Sequence, residues 1–124
     1  MVGPMRVLVA DGYRDAADSL AVILALRGFD ARTAYDGRCT AATLQAWNPD
    51  AAIIDLDFPD RSGIELAREA RGRSPHMTLI GITGWSQLRY GAMATDSGLD
   101  YVAMKPTDFR RLINMILDRS EIAV

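Results

Sequence analysis

The stretch that decides the fold is Ala51-Ala52-Ile53-Ile54-Asp55-Leu56-Asp57-Phe58-Pro59. It begins with four apolar residues and is bounded on each side by a Pro-Asp pair, which predicts a short strand buried on both faces of a sheet. The strand ends on a carboxylate, Asp55. Because open parallel sheets bind ligands at the carboxyl ends of their strands, Asp55 either caps the following turn or belongs to a functional site.

Length, charge and cysteine content limit the class of protein. The chain has 124 residues, which fits one domain, 1–124, with a core of its own. Its formal net charge is −2 with both signs spread along the sequence, so binding to nucleic acid or to a membrane surface is not indicated. Cys39 is the single cysteine, which excludes an intrachain disulfide and suits a reducing compartment. We therefore expect a cytoplasmic domain.

Short apolar runs alternate with helical patterns along the whole chain. The predicted strands are Arg6–Ala10, Asp30–Tyr35, Ala51–Asp55, Met77–Ile82 and Asp100–Met104. The predicted helices are Arg14–Arg27, Arg38–Trp47, Gly63–Arg71, Ser86–Asp96 and a last one capped by Thr107 or Asp108. Such alternation implies parallel strands and right-handed crossovers. The prediction is a three-layer α/β sandwich around a five-stranded parallel sheet, with a core at about 6–117 and a short C-terminal tail.

Local signals mark where two of these helices begin or end. Asp15 is expected to cap the first helix, and Gly28 to end it in the left-handed conformation. Ser62 is expected to cap the third helix.

Polar residues stand at the ends of four predicted strands: Asp11, Asp55, Thr83 and Lys105. In a parallel sheet they would share one edge. Two carboxylates held close together repel each other and need a cation. Lys105 supplies one positive charge, and a hard divalent ion such as Mg²⁺ would supply the rest.

Such a set of groups suits phosphoryl transfer onto Asp55 as the nucleophile. Lys105 and the metal would neutralise charge on the transferred group, and the Thr83 hydroxyl would donate to its oxygens. The same residues also permit a structural interpretation, in which Asp11 and Asp55 cap loops and Lys105 balances their charge. The residues alone leave both interpretations open.

Five segments in order resemble the receiver domain of two-component response regulators, the CheY-like superfamily. They are Val7–Asp11, Asp36-Gly37, Asp55 with Pro59 and Gly63, Thr83-Gly84, and Lys105-Pro106. The resemblance runs from about Arg6 to Leu117. It implies a (βα)5 flavodoxin-like fold of strand order 2-1-3-4-5, and a signalling domain rather than an enzyme.

The resemblance also implies a role for each residue of the site. Asp55 would be phosphorylated in a phosphorelay by a histidine kinase or a histidine phosphotransfer domain, with Thr83 and Lys105 in contact with the phosphoryl group. Asp11, Asp55 and the backbone carbonyl of Asp57 would hold Mg²⁺. Phosphorylation would then switch protein–protein contacts with a downstream protein or an output domain in trans. We expect a monomer, or a weak homodimer formed through the last helix.

One departure from the family concerns the metal. Family members usually carry two adjacent acids at the end of the first strand, and the second is a principal metal ligand; here that position is Gly12. We therefore expect weak Mg²⁺ binding and slow or absent phosphorylation, unless the Asp57 side chain compensates. A degenerate receiver that binds partners without phosphorylation is the alternative function.

A second departure concerns the conformational readout. The family often places an aromatic residue or His three positions before the lysine, where this chain has Val102 next to Tyr101. Successive strand residues face opposite sides, so Tyr101 is not expected to replace the missing group. Trp85, two residues after Thr83, is expected either to shield a phosphoryl group from water or to lie at an interface.

An enzyme is a third and remote hypothesis. Asp55-Leu56-Asp57 also resembles the paired aspartates of haloacid-dehalogenase-type phosphatases, which form an aspartyl phosphate too. In that class the aspartates belong to an early strand, and a cap and further acidic loops require more chain. A stand-alone receiver is the favoured expectation, since little sequence follows the last predicted helix.

Overall fold

The structure is a computed structural model that describes residues 3–84 and 96–123, and the side chains of this part up to Asp118. Trp85 and nearly all of the helix predicted at Ser86–Asp96 lie outside the described residues. Within the described part, no helix is long and apolar enough to span a membrane.

The described residues form a five-stranded parallel sheet and four helices. The strands are β1 (Arg6–Ala10), β2 (Asp30–Ala34), β3 (Ala51–Asp55), β4 (Thr78–Thr83) and β5 (Tyr101–Met104). The helices are α1 (Arg14–Leu26), α2 (Gly37–Trp47), α3 (Gly63–Arg73) and α4 (Phe109–Ala123). The strand order is β2-β1-β3-β4-β5, which confirms the predicted order and the α/β fold.

Alternation along the strands divides the core into two layers. Apolar side chains at odd-numbered positions of β1 and β3 pack with α1 and α4 on one face of the sheet, including Val7, Val9, Ile53, Leu24 and Ile116. Even-numbered positions pack with α2 and α3 on the other face, including Leu8, Ile54, Leu44, Leu66 and Trp47. Since β3 is buried on both faces, its apolar run needs no alternation with polar residues.

The ends of the helices follow most of the local signals. Gly28 adopts a φ of 92°, as predicted for the residue that ends α1. The Ser62 hydroxyl accepts from the backbone N–H of Glu65 at 3.4 Å, and the Asp108 carboxylate accepts from that of Arg110 at 2.9 Å. The prediction for Asp15 was wrong, because Tyr13 occupies the N-cap of α1 and Asp15 lies within the first turn.

The last helix is longer than the sequence indicated. It continues to Ala123, so most of the segment predicted to be a C-terminal tail is helical. Its apolar stripe, with Leu112, Ile113 and Ile116 buried, anchors it against the sheet. A helix fixed in this way can extend beyond its packed turns, since each added residue gains one backbone hydrogen bond.

Arg71 joins α3 to the segment that leads into β5. Its guanidinium donates to the carbonyl oxygens of Met77 at 2.7 Å and Gly98 at 2.7 Å. It also forms an ion pair of 2.9 Å with Asp100, whose carboxylate accepts from the backbone N–H of Leu79. These contacts fix the start of β5, the strand that precedes Lys105.

Candidate phosphoryl-accepting site

Two buried carboxylates meet at the carboxyl edge of the sheet. Asp11 follows β1 and is 4% exposed, and Asp55 ends β3 and is 5% exposed. β1 and β3 are adjacent strands, paired from Val7 with Ala51 to Ala10 with Ile54. The chain therefore places two anions side by side in a largely dry environment, which is unfavourable without a compensating cation.

Lys105 compensates both carboxylates. Its Nζ lies 3.1 Å from Oδ1 of Asp11 and 3.1 Å from Oδ2 of Asp55. Burial by itself lowers the pKa of Lys105, but the hydrogen bonds and charges of Asp11 and Asp55 outweigh it, so the pKa lies above the ordinary lysine value. The ammonium therefore stays charged, and the three groups together carry one net negative charge.

Both oxygens of Asp55 accept hydrogen bonds from the backbone. Oδ1 accepts from the N–H of Asp57 at 2.8 Å, and Oδ2 accepts from the N–H of Gly12 at 3.3 Å. With Lys105 these donors fix the orientation of the carboxylate. Asp55 is thus held as an oriented anion at the edge of the sheet.

Thr83 lies at this edge, but its hydroxyl makes a contact that the sequence did not indicate. Thr83 is completely buried, and its hydroxyl donates to Oδ2 of Asp57 at 2.8 Å. The backbone N–H of Gly84 donates to the same oxygen at 3.0 Å. The Asp57 side chain therefore binds the end of β4 through Oδ2.

The loop after Asp55 is held by α2 and α3. The Asp60 carboxylate accepts the backbone N–H groups of Gly37, at 2.9 Å, and Arg38, at 3.0 Å. The bond from Gly37 is the main cause that lowers the pKa of Asp60. At Gly63, a Cβ would lie only 2.5 Å from the carbonyl oxygen of Asp55, so glycine is required for α3 to begin this close to the site.

The oxygen atoms of this site are suitable ligands for Mg²⁺, and we expect them to bind it weakly. Mg²⁺ is commonly held by one or two carboxylates and several waters, and Asp11 and Asp55 supply two buried carboxylates whose charge Lys105 only partly offsets. No three Asp, Glu, His or Cys side chains within the described residues form a metal-binding group. Gly12 adds no carboxylate, yet a Cβ there would meet its neighbours only at 3.8 Å, so the position has room for a side chain.

The two residues predicted to alter the readout lie on β5. Tyr101 is half-buried against the core layer that includes α1 and α4, and Val102 pairs with Gly81 of β4. Successive strand residues face opposite sides of a sheet, so the Tyr101 ring and the Val102 side chain lie on different sides of β5. After β5 the Lys105–Pro106 bond is cis.

An open, mostly apolar cleft of about 580 Å³ borders the site. Asp11 and Lys105 lie at its polar end, and Leu20, Ile82 and Leu112 line its apolar wall. Tyr13, which is 68% exposed, lies at its rim. The buried carboxylates are thus next to a surface on which another molecule can pack.

Comparison with known proteins identifies the class to which this fold and site belong. The model of the family described as "Response regulator receiver domain" matches residues 7–117. The chain is therefore a member of the response regulator receiver domain family, as its sequence motifs predicted. Receiver domains are signalling modules that interact with histidine kinases and output domains, and they typically bind Mg²⁺ at an acidic phosphorylation site.

Individual relatives agree with this assignment. Response regulator MprA of Mycolicibacterium vanbaalenii is 27% identical over 110 residues, which are 89% of this chain and 48% of that protein. The chain thus spans about half the length of that relative. A CheY-like response regulator receiver domain protein from Methanospirillum hungatei JF-1 is 26% identical with a TM-score of 0.92, covering 98% of this chain and 97% of that chain.

A further solved structure shares the fold at lower identity. It is a response regulator protein from Burkholderia pseudomallei that carries a phosphorylated aspartic acid, a calcium ion and citrate. The TM-score is 0.85 at 23% identity, with 95% of this chain and 70% of that chain covered.

Proposed function

We propose that this receiver domain accepts a phosphoryl group on Asp55 from the phosphohistidine of a partner kinase or phosphotransfer domain. The observation that carries the proposal is the contact of 3.1 Å between Lys105 Nζ and Asp55 Oδ2 at the edge of the sheet. It joins a fixed nucleophile to a charge that can offset the incoming phosphoryl oxygens. Membership of a signalling family favours this function over that of a phosphatase.

In the proposed reaction a carboxylate oxygen of Asp55 attacks the phosphorus atom, and the P–N bond to the imidazole breaks. The imidazole nitrogen keeps the electron pair of that bond. Lys105 stays paired with the site throughout, and its raised pKa keeps the ammonium charged at neutral pH. A bound Mg²⁺, held by Asp11, Asp55 and the backbone carbonyl of Asp57, would further offset the negative charge of the phosphoryl group.

The partner must reach Asp55 from the carboxyl edge of the sheet. The apolar cleft between Leu20 and Leu112 begins at Asp11 and Lys105, so a protein docked there has its phosphohistidine near the acceptor. We propose that phosphorylation changes how this domain binds a downstream protein or an output domain in trans. We place the protein in the cytoplasm, where such partners act, and expect a monomer or a weak dimer through α4.

The test is the intact mass after incubation with acetyl phosphate, with and without Mg²⁺. A single phosphate adduct is expected in the wild type and in Asp30→Asn, which removes an exposed carboxylate at the start of β2. Asp55→Asn should form no adduct. An adduct on Asp55→Asn equal to that of the wild type would refute Asp55 as the acceptor.

Two observations support the second candidate function, a partner-binding domain that works without phosphorylation. Gly12 supplies no carboxylate for the metal, and Asp57 already binds the Thr83 hydroxyl. This function predicts no adduct with acetyl phosphate or with the cognate kinase at high Mg²⁺. The same mass measurement therefore separates the two candidates.

A further inference from the structure

We infer that the Asp57 carboxylate is a built-in competitor of the phosphoryl group, occupying its hydrogen-bond donors until phosphorylated Asp55 displaces it. The inference deepens the proposed function and rests on it, since the competition matters only if Asp55 is phosphorylated. It assigns to Asp57 a role for its side chain, whereas the proposed metal site uses only its backbone carbonyl.

The geometry places Asp57 between the acceptor and the donors. Its backbone N–H donates to Oδ1 of Asp55 at 2.8 Å. Its carboxylate accepts from the hydroxyl of Thr83 at 2.8 Å and from the N–H of Gly84 at 3.0 Å. One residue therefore contacts both the nucleophile and the end of the neighbouring strand β4.

Carboxylate and phosphoryl oxygens have the same recognition chemistry. Both are anionic acceptors, and both gain from short hydrogen bonds with hydroxyl and backbone N–H donors. A threonine hydroxyl and a backbone N–H each have one hydrogen to donate. While those of Thr83 and Gly84 point to Asp57, a phosphoryl group on Asp55 can bind them only by displacing its carboxylate.

Charge adds to this competition. Lys105 contacts the carboxylates of Asp11 and Asp55, and the carboxylate of Asp57 lies at the same edge, bound to Thr83. A phosphoryl group on Asp55 adds negative charge next to Asp57, whose backbone N–H contacts Asp55, and like charges held close together repel. Asp57 therefore reduces the fraction of the protein that is phosphorylated at steady state, and it keeps Thr83 bound to an anion when phosphate is absent.

The first measurement is the phosphorylated fraction at steady state with acetyl phosphate and Mg²⁺, by intact mass. Asp57→Ala is expected to raise the ratio of phosphorylated to free protein on the order of tenfold, the effect of losing one competing charge-assisted contact. Asp57→Asn, which keeps an acceptor oxygen but no charge, is expected to fall between Asp57→Ala and the wild type. Asp30→Asn controls for the change in net charge.

A double variant separates the hydrogen bond from the general effect of charge. In a Thr83→Ala background, Asp57→Ala is expected to give a smaller increase in the phosphorylated ratio, because the Thr83 hydroxyl for which Asp57 competes is already gone. An increase of the same size in both backgrounds would overturn competition at Thr83.

The second measurement is made on the unphosphorylated protein and does not depend on Asp55 chemistry. The amide proton of Gly84 should move upfield and exchange with solvent on the order of tenfold faster in Asp57→Ala, since it loses an anionic acceptor. An unchanged Gly84 amide would overturn the inference.

The two measurements distinguish failure of the inference from failure of the proposed function. Equal phosphorylated fractions in the wild type and Asp57→Ala would overturn the competition and leave the proposed function standing. No adduct in any variant, with acetyl phosphate or with the cognate kinase at high Mg²⁺, would refute the proposed function, and the displacement step with it, whatever the Gly84 amide shows.

Discussion

The ammonium nitrogen of Lys105 lies 3.1 Å from Oδ2 of Asp55, and the same nitrogen lies 3.1 Å from Oδ1 of Asp11. Lys105 is also the single lysine of the sequence. These two facts make the electrostatics of the site directly measurable, because one lysine side chain reports on both carboxylates.

The first prediction is a pH dependence that comes from Lys105. Asp11 and Asp55 raise the pKa of Lys105 in the folded protein above its unfolded value. Their interaction with Lys105 therefore contributes fully to stability at pH values below the ordinary lysine pKa. This contribution is lost as the pH rises through the folded pKa. The ¹³Cε resonance of the only lysine should therefore titrate at a higher pH in the folded protein than in the urea-unfolded chain.

The matched variant for this prediction is Asp11→Asn. It removes one of the two anions that contact Lys105 and keeps the shape of the side chain. The lysine resonance should titrate at a lower pH than in the wild type, and the alkaline loss of stability should begin earlier. Titration at the same pH in both proteins would contradict the contact.

The second prediction is a gain of metal binding at Gly12. A Cβ at this position would meet Asp55 and Phe58 only at 3.8 Å, so Gly12→Asp should fold and add a third carboxylate. We expect Mg²⁺ to bind about tenfold more tightly, or by about 1.4 kcal/mol, measured by calorimetric titration. Gly12→Asn is the matched control, and equal affinity in the two variants would exclude the added charge as the cause.

The third prediction compares two glycines of the same helix. In Gly63→Ala the new methyl group would lie 2.5 Å from the carbonyl oxygen of Asp55 and 2.6 Å from Cα of Leu56. We expect a loss of about 1–3 kcal/mol in the free energy of unfolding, the usual cost of overpacking. In Gly72→Ala no atom lies within 4 Å of the new group, so the helix should gain up to about 1 kcal/mol.

Urea denaturation of both variants checks this comparison. The two changes add the same methyl group to α3, so their difference isolates the close approach to Asp55. Equal stability of the two variants would show that α3 can shift away from β3 without cost.

The fourth prediction concerns Asp60, whose carboxylate accepts the backbone N–H groups of Gly37 and Arg38. Because these bonds lower its pKa in the folded state, their contribution is present above the ordinary aspartate pKa and is lost as the pH falls through the lower folded value. Asp60→Asn should therefore be less stable than the wild type at neutral pH.

The difference between Asp60→Asn and the wild type should shrink in strong acid, where Asp60 of the wild type is protonated. Urea midpoints measured from neutral to acidic pH check this outcome. Asp30→Asn serves as the control, and a difference that stays constant across the acidic range would refute the proposed role of the Asp60 carboxylate.

Much of the fold and part of the site could be predicted from sequence because they depend on local pattern. Apolar runs that end on Asp11, Asp55 and Lys105 are visible in the chain, and parallel strands must bring their carboxyl ends to one edge. It could therefore be predicted from the sequence that Lys105 lies near both carboxylates.

Other contacts depend on the path of loops, which carries no periodic signal. The bond from Thr83 to Asp57 requires the turn after Asp55 to direct one side chain towards β4. The bonds from Gly37 and Arg38 to Asp60 join segments 23 and 22 residues apart. At α1 the general preference for an acidic N-cap residue did not decide where the helix begins. The Asp11 carboxylate accepts from the backbone N–H of Tyr13, and this bond sets the start of the helix.

The ion pairs of Lys105 span the chain, joining it to residues 94 and 50 positions earlier. Asp11 and Asp55 are synthesised before Lys105, and they lack its ammonium until β5 has docked against β4. A molecule whose last strand has detached holds two adjacent buried anions without the ammonium that compensates them. The electrostatic balance at this edge of the sheet is therefore a property of the completed fold.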